Sequence, residues 1–392
     1  MTVGRAAPAG RLWPSADQGL LLDAALGDGD VAVAAFAAWR RRVDLQQEFH
    51  RDILRLLPLV YHNMQRLGVD DPIMSRLKGV YRRAWYDTNR LFHHVCPALH
   101  ALIDAKIPVT LLKGAPLAVE YYGQAALRPM GDVDFMVPPA DLGATIAVLR
   151  QNGWRVADPK WDTLRFRHAV QCLGPDHAEM DLHWHVCYDA ADSGADAAVL
   201  AAAEPVNFLG CRVRQLDPTF LLFLVIVHGV RWAEETPVRW IPDAIRILQR
   251  RGNDVDWDEM FRFAEQRRLT HRVSLGLDYL ARRFAAAIPA DALIRFRHQP
   301  PSWMERIERT ALLADAGRLE RSALGTQWLW MVEYLRFAHT RNPLAFANGY
   351  THYLRYRLDL TTRRQLSGVI LRGLRRRIGR SDPAMPSRKS VS

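Results

Sequence analysis

A chain of 392 residues, 49% apolar and 24% charged, is long enough for roughly two or three domains and has the composition of a soluble globular protein. Its longest apolar run, Phe220 to Val227, falls far short of the roughly 20 residues of a membrane-spanning helix, and the N-terminus shows no apolar signal segment. A cytoplasmic protein is therefore expected. The net charge of +11 points to nucleic acid only until it is located: residues 361–392 hold nine basic side chains against one acid, eight of the eleven charges. Cys96, Cys172, Cys187 and Cys211 show neither a C-x-x-C pair nor zinc spacing, which excludes a zinc ribbon and suggests reduced structural thiols.

In chain order, residues 1–18 carry Pro, Gly and Ala without periodicity and read as a loose N-terminal arm. Residues 19–105 form a helical region: Phe49, Ile53, Leu56 and Leu57, then Leu91, Val95 and Leu99, recur at three- and four-residue steps. Ile107 to Leu112 suits a buried strand, and Ala115 to Tyr122 a short helix with Pro116 in its first turn. Val133 to Val137 is a second strand and Leu142 to Gln151 an amphipathic helix closed by Gly153. Arg165 to Leu173 and Ala178 to Val186 read as two further strands joined by a turn at Gly174-Pro175. Residues 106–216 are thus a compact α/β core. Helices return over 217–360, among them Thr219 to Trp232, Val238 to Arg250 and one opened by the Asp256/Glu259 capping-box spacing. The expected class is α+β, a short mixed sheet flanked by N-terminal and C-terminal helical regions, with a basic tail at 361–392.

The chemistry concentrates in Arg128-Pro129-Met130-Gly131-Asp132-Val133-Asp134-Phe135-Met136-Val137. On an extended strand Asp132 and Asp134 project from one face while Val133, Phe135 and Val137 point to the other. Two carboxylates backed by an apolar layer suit hard divalent cations such as Mg2+ or Mn2+. Asp181, between Met180 and Leu182, would complete a cluster if its strand lies beside the first. Metals so held would activate a hydroxyl and stabilise a leaving pyrophosphate. Upstream, Lys113-Gly114-Ala115 passes from strand to helix, a place where free N–H groups suit a triphosphate. Lys113 reads either as a phosphate contact or as a strand-end lysine, and Arg128 either as a phosphate contact or as a brace for the carboxylates. His183 and His185 have an i, i+2 spacing compatible with zinc, but no further ligand follows, which favours histidines lining a core or site.

The stretch from LLKGAPLAVEYYG through LRPMGDVDFMV to MDLHW resembles the DNA polymerase β-type nucleotidyltransferase superfamily. More closely, it resembles a bacterial nucleotidyltransferase family with an L-K-G…R-P-x-x-D-x-D-x-x-V core. LLFLVIVHGVRW, with His228, and VDWDEM resemble that family's helical half, so the likeness spans roughly residues 40–285. It implies that Asp132, Asp134 and Asp181 are catalytic metal ligands, and that Gly114 lies under the triphosphate of an NTP such as ATP. Lys113, Ala115, Arg128 and His228 then join Gly114 as nucleotide-site positions. Ala115 departs from the Ser or Gly usual there. The activity implied is transfer of an NMP to a hydroxyl of a small molecule, protein or RNA, with release of pyrophosphate. The alternative is a non-catalytic module of the same fold that binds a nucleotide or a partner.

The tail carries a third theme. Leu366, Ile370, Leu374 and Ile378 recur every four residues among arginines, as in a helix that either docks on the main body or touches nucleic acid or an anionic membrane.

Overall fold

The computed structural model describes residues 12–43, 49, 51–159, 161–190, 193–231, 238–313, 323–338, 340, 342–360, 362 and 364–368. Four helices come first: α1 (Ala16–Leu26), α2 (Gly29–Arg40), α3 (Arg51–Arg66) and the 31-residue α4 (Met74–Asp104). The arm expected through residue 18 ends sooner. Ser15 Oγ accepts from the Gln18 N–H at 3.3 Å and the Ser15 N–H donates to Gln18 Oε1 at 2.8 Å, a capping box that starts α1 at Ala16. Trp13 stacks on Tyr279 just ahead of it.

The sheet follows, with β1 (Thr110–Leu111), a tight turn α5 (Gly114–Pro116) continued by a π-helical turn over Leu117–Tyr121, and β2 (Asp132–Met136). Next come α6 (Leu142–Gln151), β3 (Arg155–Val156), β4 (Ala169–Leu173), β5 (Glu179–His183), α7 (Ser193–Ala202), β6 (Glu204–Phe208) and β7 (Cys211–Gln215). Seven strands make one mixed sheet in the order β3-β4-β5-β2-β1-β7-β6, so the expected α+β class is what forms. The strand expected over 165–173 is shorter at its start, because residues 161–166 close into a 3-10 helix. The hairpin of β6 and β7, absent from the sequence reading, turns through Leu209 (φ 50°) and Gly210 (φ 92°), the left-handed pair a two-residue hairpin loop requires.

Alternation assigns the two faces of the central strands. Val133, Phe135, Met180 and Leu182 join Val95, Leu99 and Leu102 of α4, with Ile146 and Leu149 of α6, in one apolar core. The residues between them, Asp132, Asp134, Asp181 and His183, share the opposite face.

A second core joins α1, α2 and α3 to the later helices α8 (Pro218–Gly229), α9 (Trp240–Arg251), α10 (Trp257–Gln266), α11 (Thr270–Phe284) and α12 (Ala290–His298). Every residue of α8 from Pro218 to Val227 is buried, as expected of a helix apolar all round. At its end a Cβ on Gly229 would stand 2.0 Å from Trp240 Cγ, so only glycine lets α9 begin there. α10 is capped by Asp256, whose Oδ1 accepts from the Glu259 N–H at 2.8 Å. α13 (Trp303–Leu313) follows.

The chain divides into two compact units, Met1–Thr326 and Gln327–Ser392. The second begins within α14 (Ala323–Phe337) and contains α15 (Pro343–Arg357), where Tyr334 meets Phe346, Tyr350 and Tyr353. Of the basic residues expected to form the tail, Arg364 alone falls within the described residues, and Trp232 also lies outside them. Among the described residues no helix is long and apolar enough to cross a membrane.

Candidate active site

β2 and β5 are parallel neighbours in a register that sets Asp134 directly opposite Asp181 and Met136 opposite His183. Asp134, Asp181 and His183 each bring one ligand atom into a group whose members all lie within 4.8 Å of one another. Asp132, one strand repeat earlier on the same face, stands outside that group, yet its charge still reaches Asp181.

Asp134 is 4% exposed and its Oδ1 accepts twice, from Lys113 Nζ at 2.9 Å and across 3.2 Å from His183 Nε2. Burial works to raise its pKa, but the Lys113 ammonium and His183 outweigh it and hold the carboxyl well below the usual range. Asp181 moves the other way: burial, then the charges of Asp134 and Asp132, push its carboxyl up. The two neighbouring carboxyls are thus displaced in opposite directions, each by its own surroundings. Burial, then His183, drives His168, whose ring meets that of His183 edge-on at 5.2 Å, down to about 3. His183 Nδ1 lies 3.3 Å from the His185 carbonyl, while His185 Nδ1 meets buried Asp196 at 2.5 Å. The i, i+2 histidines therefore serve different partners.

The other side of the site is built from more distant pieces. Lys113 precedes α5 and spans to Asp134. Arg128 Nε and Nη2 donate to Asp243 Oδ1 and Oδ2 at 2.9 and 2.8 Å, and Nη1 donates to the Gly114 carbonyl at 3.2 Å. Tyr122 Oη donates to the same Asp243 at 2.8 Å. All three nitrogens of the Arg128 guanidinium donate into this buried network, so the side chain ties the Gly114 turn to Asp243 of α9. A Cβ on Gly114 would sit 2.8 Å from Met130 Cε and 3.3 Å from Arg128 Nη1, which explains the glycine by close approach. Ala115 is fully buried and its side chain joins the apolar core. His228, on the last turn of α8, is held well below its usual pKa by burial, then by Lys113 and Arg231.

Sequence reasoning passed over Asp243 and Arg239. Arg239 donates to the carbonyl of Pro129, three residues before Asp132, and burial, then Arg128, pushes its guanidinium down to about 10. Nothing local marks either residue, since each meets its partner across more than 100 residues of chain. His183 did carry a signal: two residues beyond Asp181, it must share that residue's face. A surface cleft of about 640 Å³ is lined by residues such as Ile107, Val206 and Arg214 and by none of the carboxylates.

A family profile described as uncharacterised nucleotidyltransferase matches residues 53–285. The chain belongs to that family. Among solved structures it is similar to the solution structure of the antibiotic-resistance factor ANT(2'')-Ia, at 15% identity over 51% of this chain and 95% of that one, with a TM-score of 0.30. It is also similar to the crystal structure of ANT(2'')-Ia with adenylyl-2''-tobramycin, at 15% identity over 46% and 98% of the two chains, with a TM-score of 0.33. Comparison with curated proteins gives no match. The family match runs from within α3 through α11, and so includes the carboxylate strands, the Gly114 turn and the α9 aspartate that braces it.

Proposed function

We propose that the protein is a metal-dependent nucleotidyltransferase that moves an NMP from an NTP to a hydroxyl of an acceptor and releases pyrophosphate. The observation that carries this reading is the parallel register that sets Asp134 against Asp181, with Asp132 on the same face. The donor chemistry fits a divalent cation. Asp181 is pushed toward protonation by burial and by two like charges, and a cation between the carboxylates relieves that repulsion. Asp132, Asp134 and Asp181 would hold Mg2+ or Mn2+, with His183 at the flank. The bound metal would supply charge stabilisation for the phosphates and for the attacking oxygen.

The chain's own part is positioning and proton handling. The acceptor oxygen forms a bond to the α-phosphorus while the bond from that phosphorus to the bridging oxygen of the β-phosphate breaks, and pyrophosphate leaves with that electron pair. Asp181, set opposite Asp134 by the strand register, is the carboxylate placed to receive the hydroxyl proton. Lys113 and the turn at Gly114 face the polyphosphate, and Arg128 keeps that turn in place through Asp243.

Incubating the protein with labelled ATP, GTP, CTP and UTP, Mn2+ and cell extract should transfer label to an acceptor, and chelation with EDTA should abolish it. Asp134→Asn and Asp181→Asn should each lower transfer by more than about a hundredfold, beyond what loss of a supporting partner costs. Transfer at the wild-type rate by either variant would end this reading. Ala115 supports a second one. With no hydroxyl beside Gly114, the protein would be a module that binds NTP without turnover, and calorimetry would then show binding without pyrophosphate release.

A further inference from the structure

Asp134 is the carboxylate that both the cation and Lys113 want. Its Oδ1 accepts from Lys113 Nζ at 2.9 Å in a site where Asp134 is 4% exposed, so little water screens the pair. Among the described residues Asp134 is the ion-pair partner of Lys113. A divalent cation bound to the group of Asp134, Asp181 and His183 would come within a few ångströms of that ammonium and be repelled by it. His183 is the fixed side of the arrangement, a strand residue whose Nδ1 faces the His185 carbonyl. Lys113 is the movable side. It lies at the junction of β1 and α5, its side chain is 18% exposed, and its stem has four rotatable carbons.

We propose that Lys113 is a resident counter-ion that couples the two ligands of the site: its ammonium neutralises Asp134 until a polyphosphate draws it away, and the carboxylate then turns its full charge to the cation. The idea rests on the nucleotidyltransferase reading and adds to it an order of events. By linkage, whatever polyphosphate does to cation affinity the cation does to polyphosphate affinity. Metal alone would bind weakly, and so would polyphosphate alone. The pair would bind together, which keeps a reactive metal centre from forming without the substrate it is meant to act on.

The test uses the full chain and Mn2+ alone, with free Mn2+ read by electron paramagnetic resonance. Lys113→Met should bind Mn2+ at least about tenfold more tightly than the wild type, since a competing charge is gone. Lys113→Gln should do the same and guards against misfolding of the first variant, and Lys113→Arg, which keeps the charge, should stay near wild type. In EDTA, binding of inorganic tripolyphosphate should weaken in Lys113→Met and persist in Lys113→Arg. Unchanged or weaker Mn2+ affinity in both neutral variants would overturn the coupling. Asp134→Asn separates the two ideas. If it binds Mn2+ as well as the wild type, the metal site itself is wrong and the coupling falls with it. If it loses Mn2+ while Lys113→Met gains nothing, the metal site stands and the counter-ion role alone is refuted.

Discussion

The two halves of the candidate site are built on opposite plans. The acid half is local: Asp132, Asp134, Asp181 and His183 sit on two hydrogen-bonded strands, and strand alternation alone fixes which way they face. The cation half is assembled across the chain, with Lys113 and Gly114 from the β1–α5 turn, Arg128 from the approach to β2, and Asp243 and Arg239 from the start of α9. The first half is rigid because it is sheet. The second is rigid only because a buried ion pair ties a loop to a helix, and it should fail when that tie is cut.

The largest effect is expected there. Replacing Asp243 by Asn leaves the Arg128 guanidinium buried without its counter-charge, a loss of about 3–5 kcal/mol for a broken buried pair. Urea denaturation should register it as a lower midpoint with an unchanged slope. Gly229→Ala should rank beside it, because its Cβ would overlap Trp240 and force α9 away from α8, at a cost of about 1–3 kcal/mol from overpacking. Substitutions in the acid half should shift stability less, and in opposite directions for Asp134 and Asp181.

That asymmetry also describes what the sequence could disclose. The carboxylate strands were legible because a two-residue period converts sequence spacing into direction, and the same rule would have placed His183. α6 was legible from its amphipathic pattern and Gly153, and the start of α10 from Asp256. The β6–β7 hairpin was available in the alternation of Cys211, Val213 and Gln215 around Leu209-Gly210, but without an Asn-Gly signal its turn was overlooked. Arg128 shows the opposite limit. Its residue type fits phosphate and carboxylate equally well, and the carboxylate it meets, Asp243, lies 115 residues on.

Within the acid half a finer contrast follows from the two displaced carboxyls. The folded pKa of Asp134 is depressed, so its stabilising contribution is present above the ordinary carboxylate value of 3.8 and is lost as pH falls below that value toward the folded one. The folded pKa of Asp181 is raised, so its contribution is present below 3.8 and is lost as pH rises through the folded value. In EDTA at neutral pH, Asp134→Asn should therefore destabilise, and Asp181→Asn should stabilise by relieving a repelled charge. The gain in Asp181→Asn should shrink as pH is lowered toward the ordinary carboxylate value. Equal signs for the two variants in thermal melts would mean that the carboxyls do not share one field.

The smallest effects separate the two glycines that flank the motif. Nothing lies within 4 Å of a Cβ placed on Gly131, and its φ is not left-handed, so Gly131→Ala should be neutral or stabilise by about 0.4–1 kcal/mol through the unfolded chain. At Gly114 the added methyl meets the Met130 methyl, which can swing aside, and the Arg128 guanidinium, which Asp243 holds still. Its stability cost should stay below about 1 kcal/mol because one of the two neighbours yields. Its functional cost should be larger, since relieving the contact with Arg128 shifts the turn proposed to face the polyphosphate. Gly114→Ala should thus weaken tripolyphosphate binding several-fold while Gly131→Ala leaves it alone. A Gly131→Ala variant that bound as poorly as Gly114→Ala would place the phosphate contact on the approach to β2 instead of the β1–α5 turn.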